Sequence, residues 1–182
     1  WDEEGLNRLR VQLELSRLHQ RPISEQAGRL ILDDTLAHHT RCSMDALAYL
    51  RDHSLGRNVW AHDVVTSYYI NRQDQFPVNL RLYIQFNRKY EKKLREKMAQ
   101  AWIENPSLVN NRQYLVTLIS QYYRQKTYRP KTNLGAELVR EAIAWDIPFA
   151  VVLFDSWFLR SPLVSAIQAV GKDWIGACPK DR

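Results

Sequence analysis

The sequence predicts a mixed α/β fold, an antiparallel three-strand meander continued by parallel strands, with flanking helices. Two apolar runs, Leu30-Ile31-Leu32 and Val151-Val152-Leu153-Phe154, lack polar alternation, as expected of strands buried on both faces. Between them lie a stretch rich in Val, Thr, Tyr and Trp and then a clean period-two alternation, which read as hairpin strands. Helical spacing fills the interval before the second apolar run and the segment after it.

Taken in order, Leu6, Leu9 and Leu13 with Val11, Leu15 and Leu18 form adjacent helical rows, so Leu6–Leu18 is expected as a helix with one broad apolar stripe. Arg21–Gly28, with Pro22 and Gly28, reads as a linker, so residues 1–28 form an N-terminal helical segment and linker. The first buried strand is Arg29–Leu32, and Leu36–Asp45 has no period and is expected as a loop. Leu47–His53 and Asn58–Ile70 flank a turn at Ser54-Leu55-Gly56-Arg57 and form a hairpin. Val78, Leu80, Leu82 and Ile84 alternate with Asn79, Arg81 and Tyr83, giving a third meander strand with Pro77 as its first residue. Tyr90, Leu94, Met98 and Trp102 at spacing four mark a helix over Asn87–Glu104, and Ser107 to about Gln125 a second. Thr132 or Asn133 can cap a third, carrying Leu134, Leu138 and Ala142. The strand Phe149–Phe154 follows, then a helix Ser161–Val170 with Pro162 in its first turn and Gly171 at its end, then a strand Trp174–Cys178.

At 182 residues the chain supports one main core. With 45% hydrophobic and 25% charged residues and no repeat, it is an ordinary globular sequence. Lys and Arg number 26 against 20 acids, a net +6 that favours an anionic partner such as nucleic acid. The two cysteines, Cys42 and Cys178, have neither metal-ligand spacing nor a disulfide framework, and no signal-peptide pattern opens the chain, so a cytoplasmic protein is expected. The chain opens on Trp1 and stops on Asp181-Arg182 directly after an expected strand, so it is expected to be cut from a longer polypeptide.

Each apolar run ends in acid: Asp33-Asp34-Thr35 after the first, Asp155-Ser156 after the second. If the two strands lie side by side in parallel, with the first central, the acids meet at one sheet edge, which is the ribonuclease H-like arrangement. Carboxylates brought together repel unless a cation or proton intervenes, and hard, oxygen-seeking Mg2+ (with Mn2+ as a substitute) supplies that cation. Such a pair points to chemistry on phosphate. An aspartate that merely ends a strand as a turn or cap residue is the competing reading for each. His38, His39 and His62 lack finger-like spacing and are expected to be loop or hairpin histidines with backbone partners. No Gly-rich phosphate loop is present, and Ser156 lacks a Gly-x-Ser-x-Gly elbow.

The residues resemble a known family in order: Leu30-Ile31-Leu32-Asp33-Asp34-Thr35, Trp60-Ala61-His62-Asp63-Val64-Val65-Thr66-Ser67, Phe76-Pro77-Val78 through Arg81-Leu82-Tyr83, Phe154-Asp155-Ser156-Trp157-Phe158 and Gly171-Lys172-Asp173-Trp174-Ile175. This ordered set resembles the DDE (Asp-Asp-Glu) transposases of bacterial insertion sequences. The resemblance implies a partial ribonuclease H-like transposase core over 29–182, with a helical excursion at about 105–132. It implies Mg2+-dependent DNA strand cleavage at transposon ends and transfer to target DNA, in a nucleoid-associated homodimer that joins two ends. The first catalytic and metal-binding aspartate maps to the Asp33-Asp34 pair and the second to Asp155. Alternation allows only one of the pair to face the metal; the acid immediately before Thr, Asp34, fits the family pattern, with Asp33 as the alternative. The family's glutamate follows the last strand and is expected beyond residue 182, which would leave the fragment inactive alone; Glu137 and Glu141 precede Asp155 and are in the wrong order to replace it. His38-His39-Thr40-Arg41-Cys42 departs from the Lys and Gly expected after the first aspartate.

The basic helix with Arg88, Lys89, Lys92, Lys93, Arg95 and Lys97 reads as a solvated face. The loop Arg124, Lys126, Arg129 and Lys131, interleaved with tyrosines, is the better DNA-binding candidate, cations meeting phosphate and aromatics meeting sugar or base. The competing functions are a catalytically inactive DNA-binding remnant and another ribonuclease H-like nuclease.

Overall fold

In the computed structural model, which describes residues 2–40, 47–84, 88–104, 119 and 128–178, the chain orders as follows. Helix α1 (Glu3–Leu18) and the single turn α2 (Ile23–Gln26) lead into strands β1 (Gly28–His38), β2 (Ala48–Asp52), β3 (Arg57–Ile70) and β4 (Gln75–Tyr83). Helices α3 (Arg88–Glu104) and α4 (Lys131–Ala144) follow, then β5 (Phe149–Phe154), α5 (Ser161–Ala169) and β6 (Asp173–Gly176). Two compact units result: Trp1–Tyr83 with Pro130–Arg182, and Ile84–Arg129. In the second, α3 buries Leu94 and carries an exposed Lys92–Glu96 ion pair at 3.8 Å. The helix expected from Ser107 lies, Ile119 aside, outside the described residues. Among the described residues no helix is long and apolar enough to cross a membrane.

The first unit holds a six-stranded sheet in the order β2-β3-β1-β5-β6, with β4 also paired to β3. β1 pairs antiparallel with β3 and parallel with β5, and β6 extends the parallel part. The first strand is thus central and the aspartate-bearing strand lies beside it in parallel, which is the condition under which the acids meet at one sheet edge. Leu30, Leu32, Val65, Tyr69, Val152 and Phe154 form the buried face, under Leu134, Leu138, Val139 and Ala142 of α4 and Leu163 and Ile167 of α5. The apolar run of β5 predicts burial on both faces, but Val151 and Leu153 are only half-buried and Ala150 is exposed, so the second face is incompletely covered.

Four differences from the sequence pattern have physical causes. β1 runs on to His38, well past Leu32, because the long β3 pairs with it as far as Ala61. In α1 only the row Val11, Leu15 and Leu18 is buried; Leu6, Leu9 and Leu13 are more than half exposed, so the stripe is narrower than its apolar content. In β4 the pairing Tyr68↔Pro77 is followed by Ser67↔Asn79, leaving Val78 as a bulge. Beyond it, Asn79 pairs with the buried Ser67 and Arg81 with the buried Val65, while Leu80 and Leu82 lie exposed on the other face. The alternation is real, yet the polar set faces inward. Pro77 sits inside the strand at this register break, where a missing N–H is tolerated. Finally, α4 starts at Lys131, ahead of the expected caps Thr132 and Asn133, with Pro130 as its uncapped N-cap.

Gly28 opens β1, and its N–H donates to the carbonyl of Pro148 at 2.9 Å, fixing the parallel entry. A Cβ there would stand 2.4 Å from the Tyr69 ring and 2.6 Å from the Ile70 carbonyl oxygen. Tyr69 cannot retreat: it is fully buried, and its hydroxyl donates to the Gln26 carbonyl and accepts from Asn71 at 3.2 Å. Gly28→Ala is therefore expected to lower unfolding free energy by about 1–3 kcal/mol through overpacking, read as a reduced denaturant midpoint with unchanged slope.

Candidate functional site

Alternation along the central strands brings three acids to the same end of the sheet. Asp34 lies two residues beyond Leu32 and so projects onto the same, helix-covered face. It pairs with Val65; two positions along β3, Asp63 projects onto that face as well, opposite Leu36. The N-terminus of α4 lies over this corner. From it the Lys131 ammonium donates to Asp34 Oδ2 and, at 2.7 Å, to Asp63 Oδ2. The same ammonium stands 5.1 Å from the centre of the Tyr83 ring, a cation–π contact from β4. Asp63 is 7% exposed, and its Oδ1 is buried without a hydrogen-bond partner.

Asp155 reaches the corner from β5. Leu32 and Phe154 are register neighbours, so Asp155 leaves its strand beside the Asp33-Asp34 pair, and the charges of both act on it. The Trp157 N–H donates to Asp155 Oδ1 at 3.0 Å, and the Phe158 N–H to the Asp155 carbonyl at 3.3 Å, which closes a turn anchored by the fully buried Phe158. Trp157 stands 72% exposed beside the acid.

The electrostatics follow from this crowding. Burial pushes the Asp155 carboxyl above its ordinary range, opposed by the Trp157 N–H and reinforced by the negative charges of Asp34 and Asp33. Burial likewise pushes Asp63 up, partly offset by Lys131, and Asp34 adds to the rise. Burial works against the Lys131 ammonium, yet its hydrogen bonds to Asp34 and Asp63 outweigh that and raise its pKa. Lys131 therefore stays charged among carboxylates that repel one another.

Of the sequence-predicted residues, Asp34 and Asp155 come together. Asp33 points to the opposite, exposed side and accepts the Asp34 N–H at 2.9 Å. Lys131, expected on a DNA-contacting loop, opens α4 and pairs with the acids. Arg129 belongs to the other compact unit, and Arg124 and Lys126 lie outside the described residues. Asp63 was not singled out by sequence reasoning, although an acid on the buried parity of Ala61, Val65, Ser67 and Tyr69 is a readable signal. Glu141 is bound bidentately by Arg81 at 2.9 and 3.0 Å.

The histidines meet other side chains: His38 Nε2 meets Asp52 Oδ2 at 2.7 Å, and His39 Nε2 meets His62 Nδ1 at 2.9 Å. The Ser54 hydroxyl, then the Leu55 N–H, hold Asp52 down to about 2. Among the described residues no three His, Cys, Asp or Glu side chains form a ready metal-ligand set. A groove of about 610 Å³ lies away from the acids, between α1 and the β3–β4 face.

The family model described as DDE superfamily endonuclease matches residues 1–182. No curated protein and no solved structure matches the chain. The six-stranded mixed sheet with flanking helices is the ribonuclease H-like architecture of that family.

Because the folded-state pKa of Asp155 lies above the ordinary 3.8, its ionised form costs stability. The favourable contribution is complete below pH 3.8 and is lost as the pH rises through the folded value. Asp155→Asn, which keeps an acceptor for the Trp157 N–H, is expected to raise the melting temperature in chelator at pH 7 and to leave it unchanged near pH 3, the two scans being compared directly.

Proposed function

Since the chain belongs to the DDE superfamily endonucleases, we propose that it is a transposase core that cleaves DNA at insertion-sequence ends and transfers the freed strand to target DNA. One observation carries this reading: Asp34 within β1 and Asp155 just past the end of β5, remote in sequence, stand at one end of two adjacent parallel strands, near enough for the charge of one to shift the other. Phosphodiester cleavage assisted by a divalent metal ion calls for such a focus of hard oxygen donors.

The donor set fits a divalent cation. Mg2+ is held by one or two carboxylates and keeps several waters, so Asp34 and Asp155 are enough protein ligands without a preformed cage. The raised pKa of Asp155 and the unpartnered buried Oδ1 of Asp63 are both strains that an added cation relieves. When bound, Mg2+ or Mn2+ supplies Lewis acidity toward the scissile phosphate. Asp34 and Asp155 hold it and fix its place relative to the sheet. The turn at Asp155 is kept in position by Phe158 beneath it, and the exposed Trp157 borders the approach to that carboxylate. In this reading two copies hold the two DNA ends, and the basic segment Arg124, Lys126 and Arg129 contacts phosphates.

With the complete protein and end-containing DNA, Asp34→Asn and Asp155→Asn are each expected to reduce Mg2+-dependent cleavage about a thousandfold or more while leaving DNA binding within about threefold. Unreduced cleavage removes that aspartate from the chemistry. DNA binding by the wild type without any cleavage identifies an inactive remnant, and cleavage without strand transfer identifies another ribonuclease H-like nuclease. Lys126→Ala with Arg129→Ala is expected to weaken binding uniformly across sequences and to lessen the slope of log K against log salt by about 2, measured by titration at several salt concentrations.

A further inference from the structure

We propose that Lys131 is a built-in competitor for the divalent cation: its ammonium neutralises Asp34 and Asp63, and a metal ion binding Asp34 does so against that ammonium. The inference rests on the reading of Asp34 as a metal ligand, and it adds Asp63 and Lys131 to the site as residues that set its affinity.

The position of Lys131 is the first argument. It is the first residue of α4, where the unpaired N–H groups and the helix dipole disfavour a cation. Nothing in helix formation calls for a lysine there. The two carboxylates below do, since Asp34 Oδ2 and Asp63 Oδ2 both accept from the same Nζ. The contact therefore belongs to the site rather than to the helix.

The second argument is the state of Asp63. A buried carboxylate is normally saturated with hydrogen bonds, but here Lys131 serves only Oδ2 and Oδ1 has no partner. Asp63 is thus a buried acid whose hydrogen-bond partner is an ammonium on one oxygen only. Such a group binds whatever cation is nearest, and it is aimed into the same corner as Asp34.

Third, the ammonium has somewhere to go. Asp34 is one of three groups that hold it, with Asp63 and the Tyr83 ring as the others. An ammonium that loses Asp34 keeps Asp63 Oδ2 at 2.7 Å and the Tyr83 ring, so neither it nor the buried Asp63 is left unpaired. Asp34 is thereby exchangeable between the internal cation and an external one, while Asp63 keeps its partner.

The charge balance agrees. Asp34 and Asp63 share a single ammonium, so carboxylate outnumbers internal cation in the corner and an external cation is drawn to it. Removing the ammonium frees a carboxylate and deletes a like charge beside the metal. At the effective dielectric of such sites this strengthens binding by about tenfold or more.

The test is a titration of the full chain with Mn2+, followed by calorimetry, for the wild type, Lys131→Met, Lys131→Gln and Lys131→Arg. Met keeps the aliphatic packing, Gln keeps a donor for Asp63 without the charge, and Arg keeps the charge. Met and Gln are expected to lower the Mn2+ Kd about tenfold or more, with Arg close to wild type. Both neutral variants are expected to melt lower than wild type in chelator, and Mn2+ is expected to raise their melting temperatures more than that of the wild type. Unchanged or weaker Mn2+ binding by both neutral variants overturns the proposal and makes Lys131 an orienting residue. Asp34→Asn in the wild-type and Lys131→Gln backgrounds separates the two levels: if it leaves Mn2+ binding unaltered in both, Asp34 is not a ligand and the underlying reading fails too.

Discussion

The parallel pairing of β1 with β5 is the contact on which the rest of the molecule depends. Leu30 and Leu32 lie in register with Val152 and Phe154, and all four are buried. At about 1.5–3 kcal/mol for each fully buried side chain, this quartet contributes roughly 6–12 kcal/mol before entropy. Repulsion between two nearby carboxylates amounts to only roughly 2–4 kcal/mol at an effective dielectric near 20. Apolar burial therefore wins, and Asp34 and Asp155 are held together although neither gains from it. A weaker pairing would let the acids part.

Much of this was legible because it is local and apolar. The strand Phe149–Phe154 matches the sequence reading residue for residue, since a short uninterrupted apolar run before an acid has few other interpretations. The hairpin with Gly56 at positive φ, and the helix stopped by Gly171, also at positive φ, follow from turn chemistry. What was not legible is relational. A period of two announces a strand but not which face is covered. In β4 the bulge at Val78 reverses the expected choice, turning Leu80 and Leu82 out and Arg81 and Tyr83 in. The inward polar side chains are accommodated because each has a specific partner, Glu141 for Arg81 and Lys131 for Tyr83.

The site was half readable for the same reason. Asp34 and Asp155 stand at the ends of apolar runs and attract notice, whereas Asp63 sits inside a strand and looks like one of its polar alternates until its parity with Val65 and Tyr69 is followed. Lys131 was hidden by its neighbours, because Thr132 and Asn133 are better capping residues and made it read as loop. α4 begins one residue before Thr132 without a side-chain cap, and its first residue, Lys131, is tied to the acids beneath.

The bulge at Val78 also gives the second half of β4 an unusual sensitivity to chain length. Everything beyond it is oriented by that single extra residue. Loss of one codon there would rotate the remaining strand by half a turn, submerging two leucines where an arginine and a tyrosine now reach α4, and breaking the Arg81–Glu141 ion pair and the Tyr83–Lys131 contact at once. Substitutions along this strand change one contact apiece, but a one-residue deletion would remove both of these links to the helix that carries the internal cation.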